Sequence, residues 1–102
     1  MTFFKDNLAA LPEVQGSKLR LFDDSGREVA VIENAPGTAG SFRVYAYLVG
    51  KYGLINAAAA QEALSIYAEH TEDARLNPGK HPNIDRLMEI QTVGKALGAR
   101  VE

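Results

Sequence analysis

The sequence predicts one α+β domain spanning residues 1–102, in which a β-hairpin packs against three or four helices. Apolar and polar residues alternate on both sides of a turn at residues 23–26, and helical periodicity dominates after Asn56. A chain of 102 residues can bury one core without metal or disulfide cross-links. Its 46% apolar and 24% charged residues are typical of a globular protein rather than a disordered one.

A short helix is predicted at the start of the chain. Thr2 is a suitable N-cap residue, and Phe4, Leu8 and Leu11 follow at the spacing of one helical stripe. Pro12 restricts the residue before it, so the helix is expected to end at Leu11 or just before.

The hairpin is predicted over residues 19–32. Leu19 and Leu21 alternate with basic residues in the first strand, and Gly26 can take the positive φ that a tight turn requires. Residues 27–33 form the second strand because they are rich in β-branched side chains (Val29, Val31, Ile32).

Residues 41–52 fit two kinds of secondary structure. A strand would explain the alternation of Phe42, Val44, Ala46 and Leu48, whereas a helix would explain the spacing of Phe42, Tyr45, Val49 and Tyr52. We favour the helix, because the segment is long for a strand and Gly53 occupies the position of a C′ glycine. Residues 34–40, which contain Pro36 and Gly37, are predicted to be a loop.

Two further helices are predicted in the second half of the chain. Asn56 can cap an alanine-rich helix that extends to Glu69 or His70, and residues 71–82 then form a polar connection. Asn83 can cap the next helix, which is expected to end near Gly94 or Gly98. Residues 99–102 fit either a short third strand beside the hairpin or an irregular tail.

Composition excludes several classes of function. The absence of cysteine rules out disulfides, thiolate nucleophiles and cysteine-bound zinc, and it fits a reducing compartment. There is no basic region followed by a long apolar run, as in a signal peptide, and no apolar run long enough to span a membrane. The net charge of −2 and the scattered basic residues do not favour nucleic-acid binding. We therefore expect a cytoplasmic protein.

The candidate polar site lies in residues 70–86, which contain both histidines of the chain. If the flanking helices pack antiparallel, His70 approaches His81 and Asp85. Histidine suits proton transfer and metal binding, and with nearby carboxylates the pair could hold zinc, iron or manganese. An arginine could bind a carboxylate or phosphate. The candidate residues are His70, Asp73, Arg75, His81, Asp85 and Arg86.

A purely structural interpretation of the same residues carries more weight. His70 at the end of a helix would complement the helix dipole, and His81 before Pro82 can simply fill a turn. The spacing matches no metal motif such as H-E-x-x-H, so the cofactor stays unknown. Gly37, Gly40 and Ser41 lack the pattern of a phosphate-binding loop. The many large side chains of residues 42–52 predict exposed aromatics that mediate a homodimer or another protein contact.

Four stretches resemble a family of small uncharacterised bacterial proteins, a domain of unknown function. They are Val44-Tyr45-Ala46-Tyr47, Lys51-Tyr52-Gly53, residues 67–75 (YAEHTEDAR) and residues 78–87 (PGKHPNIDRL). The resemblance covers nearly the whole chain and implies a bacterial source, but no activity, cofactor or site. Two function classes follow: a non-catalytic interaction or regulatory module, which we favour, and a small metal-binding protein or enzyme that uses residues 70–86.

Overall fold

The fold is a three-stranded antiparallel sheet with helices packed on one of its faces. The computed structural model describes residues 3–102. In chain order the elements are α1 (Phe4–Ala10), β1 (Lys18–Phe22), β2 (Glu28–Glu33), α2 (Ala39–Tyr52), α3 (Ala57–Tyr67), α4 (Glu69–Leu76), α5 (Pro82–Val93) and β3 (Gly98–Val101). The α+β class is confirmed. No helix among residues 3–102 is long and apolar enough to cross a membrane.

The hairpin forms as predicted, and of the two alternatives for the last residues the structure has the third strand, in the order β2-β1-β3. Leu19 and Leu21 of β1 are fully buried on the inner face of the sheet, where Leu19 lies opposite Ile32. One irregularity interrupts the β1–β2 pairing. Leu21 pairs with Ala30 and Phe22 pairs with Glu28, so Val29 is an extra residue in β2, a β-bulge.

Helix α2 forms where the sequence allowed both a helix and a strand. Phe42, Val44, Tyr45, Ala46 and Leu48 are all buried, so the helix is covered around most of its circumference. Because the helix is buried on most sides, its apolar residues include alternate positions, and the sequence shows a strand-like alternation together with the helical spacing. Gly53 ends the helix in the left-handed region, as predicted. The predicted loop at residues 34–40 is shorter than expected, because α2 already begins at Ala39.

The prediction that residues 42–52 expose aromatic side chains is wrong. Phe42 and Tyr45 are buried, and the Tyr45 hydroxyl donates a hydrogen bond to the carbonyl of Asn83. Tyr52 is half-buried, and its hydroxyl donates to Glu62 Oε1 at 2.7 Å. The wide core absorbs these rings, so this segment offers no aromatic patch for self-association. Self-association by another surface stays a prediction.

The alanine-rich helix is interrupted, which adds a fifth helix among residues 3–102. Asn56 caps α3 as predicted, since its side chain accepts the N–H of Ala59 at 2.8 Å. The helix then breaks at Ala68, whose φ of 52° and ψ of −114° are rare for a residue with a Cβ atom. Thr71 is buried beyond the break and donates to the carbonyl of Leu64 at 2.6 Å. The predicted polar connection at residues 71–82 therefore begins with α4.

N-caps were predicted at Asn83 for α5 and at Thr2 for α1. Asn83 does not cap α5, because His81 occupies the N-cap position and Pro82 begins the helix, where a missing N–H is tolerated. Asp85 lies in the first turn, as predicted, and Gly94 ends the helix. The cap proposed at Thr2 lies outside the described residues, and α1 begins after Phe3.

We predict that Ala68→Gly stabilises the protein by about 1 kcal/mol. Glycine adopts positive φ without a Cβ clash, and this relief exceeds the entropy that glycine adds to the unfolded chain. Urea unfolding at neutral pH measures the change. Ala58→Gly is the matched control, because Ala58 is exposed within α3 and the same substitution there should destabilise by about 0.5–1 kcal/mol. A loss of stability in Ala68→Gly would contradict the strain at this break.

Candidate functional site

The predicted polar site is organised around the carboxylate of Asp73 in α4. Asp73 Oδ2 lies 2.7 Å from His81 Nε2 and 2.9 Å from Lys80 Nζ. Asn77 Nδ2 donates to the other carboxylate oxygen at 3.0 Å. The hydrogen bonds from His81 and Lys80 lower the pKa of Asp73 to about 2. Asp73 therefore stays ionised at neutral pH and ties the turn between α4 and α5 to α4.

The two histidines come together as the sequence predicted. The ring centroids of His70 and His81 lie 5.7 Å apart, and the ring of Phe4 packs edge-on against His70 at 5.2 Å. Both histidines line a cleft of about 360 Å³, together with Ser41 and Tyr67. Burial raises the pKa of Tyr67, so its hydroxyl stays neutral, and it donates to Ser41 Oγ at 2.7 Å.

Helix α1 closes one side of this cleft. The N–H of Phe4 donates to Glu69 Oε1 at 2.8 Å, and this bond lowers the pKa of Glu69. The ring of Phe4 also stacks on Tyr67, with centroids 5.1 Å apart. The cleft is thus built by residues far apart in sequence, although its two histidines are close in the chain.

The other three candidate residues do not join the histidine pair. Asp85 Oδ2 accepts the N–H of Gly79 at 2.9 Å and so braces the turn. Arg75 pairs with Glu72 at 3.2 Å on an exposed face of α4.

Arg86 bonds to Asn83 and Tyr45 and is absent from the lining of the histidine cleft. Its Nη1 atom donates to Asn83 Oδ1 at 2.8 Å and to the Tyr45 hydroxyl at 3.2 Å. The predicted interaction of His70 with a helix C-terminus is wrong, because the break at Ala68 places His70 in the first turn of α4. A cation is not favoured at a helix N-terminus.

The arrangement offers no ligand set for a metal ion within residues 3–102, where no group of three or more histidine, aspartate or glutamate side chains could hold one. Asp73 is the nearest carboxylate to His81, but its Oδ2 atom is already shared between His81 and Lys80. The contact between Asp73 and His81 fixes the orientation of the His81 ring and holds the start of α5 against α4.

Sequence reasoning missed a second feature, an apolar groove of about 580 Å³ between the sheet and α5. We call it the β2–α5 groove. Its floor and walls are aliphatic: Val29, Ile90, Val93, Ala96 and Leu97. Its rim is charged: Asp23, Asp24, Asp85, Arg86, Glu89 and Lys95. Val29 is 47% exposed and Val93 58% exposed, so the groove is open at both walls.

The bulge in β2 shifts the alternation of side chains at Glu28 and Val29. Ala30 and Ile32 face the core, so regular alternation would turn Glu28 inward and Val29 outward. The extra residue returns Glu28 to the outer face, where it pairs with Arg20 at 2.7 Å. The sequence did indicate that valines would be exposed here. When Ile32 faces the core, regular alternation leaves neither Val29 nor Val31 a position on the inner face. Nothing in the sequence indicated the bulge itself.

The fold and these two surfaces define a small α+β domain with a histidine-lined cleft and an open apolar groove. Residues 4–101 match the model of a family described as an uncharacterized protein conserved in bacteria (DUF2322), and the chain belongs to this family. The family resemblance found in the sequence is confirmed. No curated protein and no solved structure matches the chain.

We predict that Asp73 contributes stability in a defined pH window. Its pKa is about 2 in the folded protein against an ordinary value of 3.8, so its contribution is present above pH 4 and is lost as pH falls toward 2. Asp73→Asn should lower the urea midpoint at pH 7, and the difference from the parent should shrink between pH 4 and pH 2. Asp24→Asn is the control, since Asp24 makes no ion pair within residues 3–102. A pH-independent difference for Asp73→Asn would contradict the account.

Proposed function

We propose that this protein is a non-catalytic interaction module that binds an apolar segment of a partner protein in the β2–α5 groove. The observation that carries the proposal is that Val29 of β2 and Val93 of α5 are both exposed and both line one groove. Large aliphatic side chains grouped in a concave surface are typical of a binding site, whereas single exposed ones need no explanation. The lack of cysteine supports a cytoplasmic location for this module.

The charge of the rim supports a partner segment with basic residues at its ends. Four of the six charged rim residues are acidic (Asp23, Asp24, Asp85, Glu89). The two basic rim residues are Arg86, which donates hydrogen bonds to Asn83 and Tyr45, and Lys95, and neither forms an ion pair within residues 3–102. Among the acidic rim residues, Asp23 pairs with Arg27 at 3.7 Å. Complementary charge adds association rate and specificity to an apolar contact, so lysine or arginine should flank the bound segment.

The histidine cleft supports a catalytic role less well than the groove supports binding. The carboxylate that could activate His81 is also bonded to Lys80 and Asn77, which are both part of the turn. The hydroxyl of Tyr67 is neutral and donates to Ser41. These polar groups join α4 to the start of α5 and α3 to α2, and this use favours a structural role for the cleft.

A pair of synthetic peptides tests the proposal. Both have the same core of alternating valine and leucine, and the first carries lysines at both ends where the second carries glutamates. We expect the lysine-flanked peptide to shift the NMR signals of Val29, Val93 and Leu97 and to bind several-fold more tightly than the other. This preference should weaken as salt is added, because rim charges are screened.

We predict that Val93→Lys reduces binding of the lysine-flanked peptide by about tenfold or more, since it places a like charge in the apolar wall. Isothermal titration calorimetry measures the change. Leu76→Lys is the matched control, because Leu76 is 74% exposed at the end of α4, outside the groove. The proposal fails if neither peptide binds, or if Val93→Lys and Leu76→Lys bind the peptide as the parent does.

A further inference from the structure

Strand β2 is the last strand on one side of the sheet, so one of its edges faces no strand within residues 3–102. The backbone hydrogen bonds of the sheet fix which groups lie there. Lys18 exchanges both backbone hydrogen bonds with Glu102 on the β3 side, at 3.3 Å and 2.8 Å, so its pair with Glu33 in β2 is a non-hydrogen-bonded one. Hydrogen-bonded and non-hydrogen-bonded pairs alternate along an antiparallel ladder. The N–H and C=O groups of Val31 therefore point away from β1.

A second contact confirms the direction of these groups. Glu33 lies two residues after Val31 and so shares its orientation, and its carbonyl accepts a hydrogen bond from Thr38 Oγ1 at 2.7 Å. Thr38 lies outside the sheet, so this carbonyl does point away from β1. The free edge thus offers the N–H and C=O of Val31 and the N–H of Glu33.

We infer that the partner segment binds in extended form, as a fourth strand along the free edge of β2. This inference rests on the proposed function, because the edge and the β2–α5 groove share Val29. A strand paired beside Val31 projects alternate side chains from one face of the sheet, close to Val29, which lines the groove two residues before Val31 in β2. Backbone hydrogen bonds then supply affinity, and the groove selects the apolar side chains.

The charge of the edge favours a basic segment over a second copy of this chain. Glu33 ends the strand, and Asp24 lies at the rim of the adjoining groove. A second copy would bring the same carboxylates and a net charge of −2 to this surface.

Removing one backbone N–H from the protein, and separately one from the peptide, tests whether the peptide binds as a fourth strand. In the protein, Val31→Pro removes an edge N–H that β1 does not use, and proline is tolerated on edge strands. In the lysine-flanked peptide, N-methylation of one central residue removes the matching donor. We expect each change to weaken binding about five- to tenfold. Val31→Thr, which keeps the N–H and the branched side chain, should bind like the parent.

Amide hydrogen exchange gives an independent readout in the parent protein. Bound peptide should slow exchange at Val31 and Glu33, and a bound helix should not. If the peptide binds in the groove but exchange at both amides and the affinity of the N-methylated peptide are unchanged, the strand inference is overturned and the proposed function stands. If the parent binds no peptide, both are overturned. If Val31→Pro does not fold, the N-methylated peptide and the exchange data decide.

Discussion

The burial of α2 is the constraint on which the other elements of this fold depend. Its buried residues pack under the sheet on one side and against α3 on another, so few positions on the helix are left for solvent. The same helix reaches α5 through Tyr45, whose hydroxyl donates to the carbonyl of Asn83 and accepts from Arg86. Burial raises the pKa of Tyr45 to about 12, so this hydroxyl stays neutral in its polar contacts.

The two surface features follow from how α5 is held. Asp73 and Tyr45 fix its first turn against α4 and α2, and Ile84, Leu87 and Ile90 pack into the core. Val93, at the end of α5, is 58% exposed and lines the groove together with Val29 of β2. The histidine cleft is therefore a consequence of helix docking, and the groove is the part of the α5–sheet contact that the chain itself does not fill.

Elements with local signals could be predicted from the sequence, and elements fixed by tertiary contacts could not. The hairpin turn, the cap at Asn56 and the glycine that ends α2 all act through residues within a few positions of each other. The break at Ala68 carries no glycine or proline, and it depends on the buried bond between Thr71 and Leu64. A prediction from helix propensity alone therefore continued the helix past this break.

The candidate site was predictable to a similar extent. His70, His81 and Asp73 are close in the chain, so a tight turn between helices was enough to bring them together. Arg86 was placed with them because its contact with Tyr45, far away in sequence, leaves no local pattern. The groove could not be predicted for a related reason: its lining combines Val29 of β2 with residues of and after α5, and the register shift at Val29 is set by pairing with β1.

The most direct test of the account is the position of a bound peptide measured by intermolecular nuclear Overhauser effects. In a complex with the lysine-flanked peptide, we expect contacts from the peptide methyl groups to the methyl groups of Val29 and Val93, on the two sides of the groove. Contacts to the Phe4 and His70 rings, with none to these two valines, would place the binding site in the histidine cleft and contradict the account.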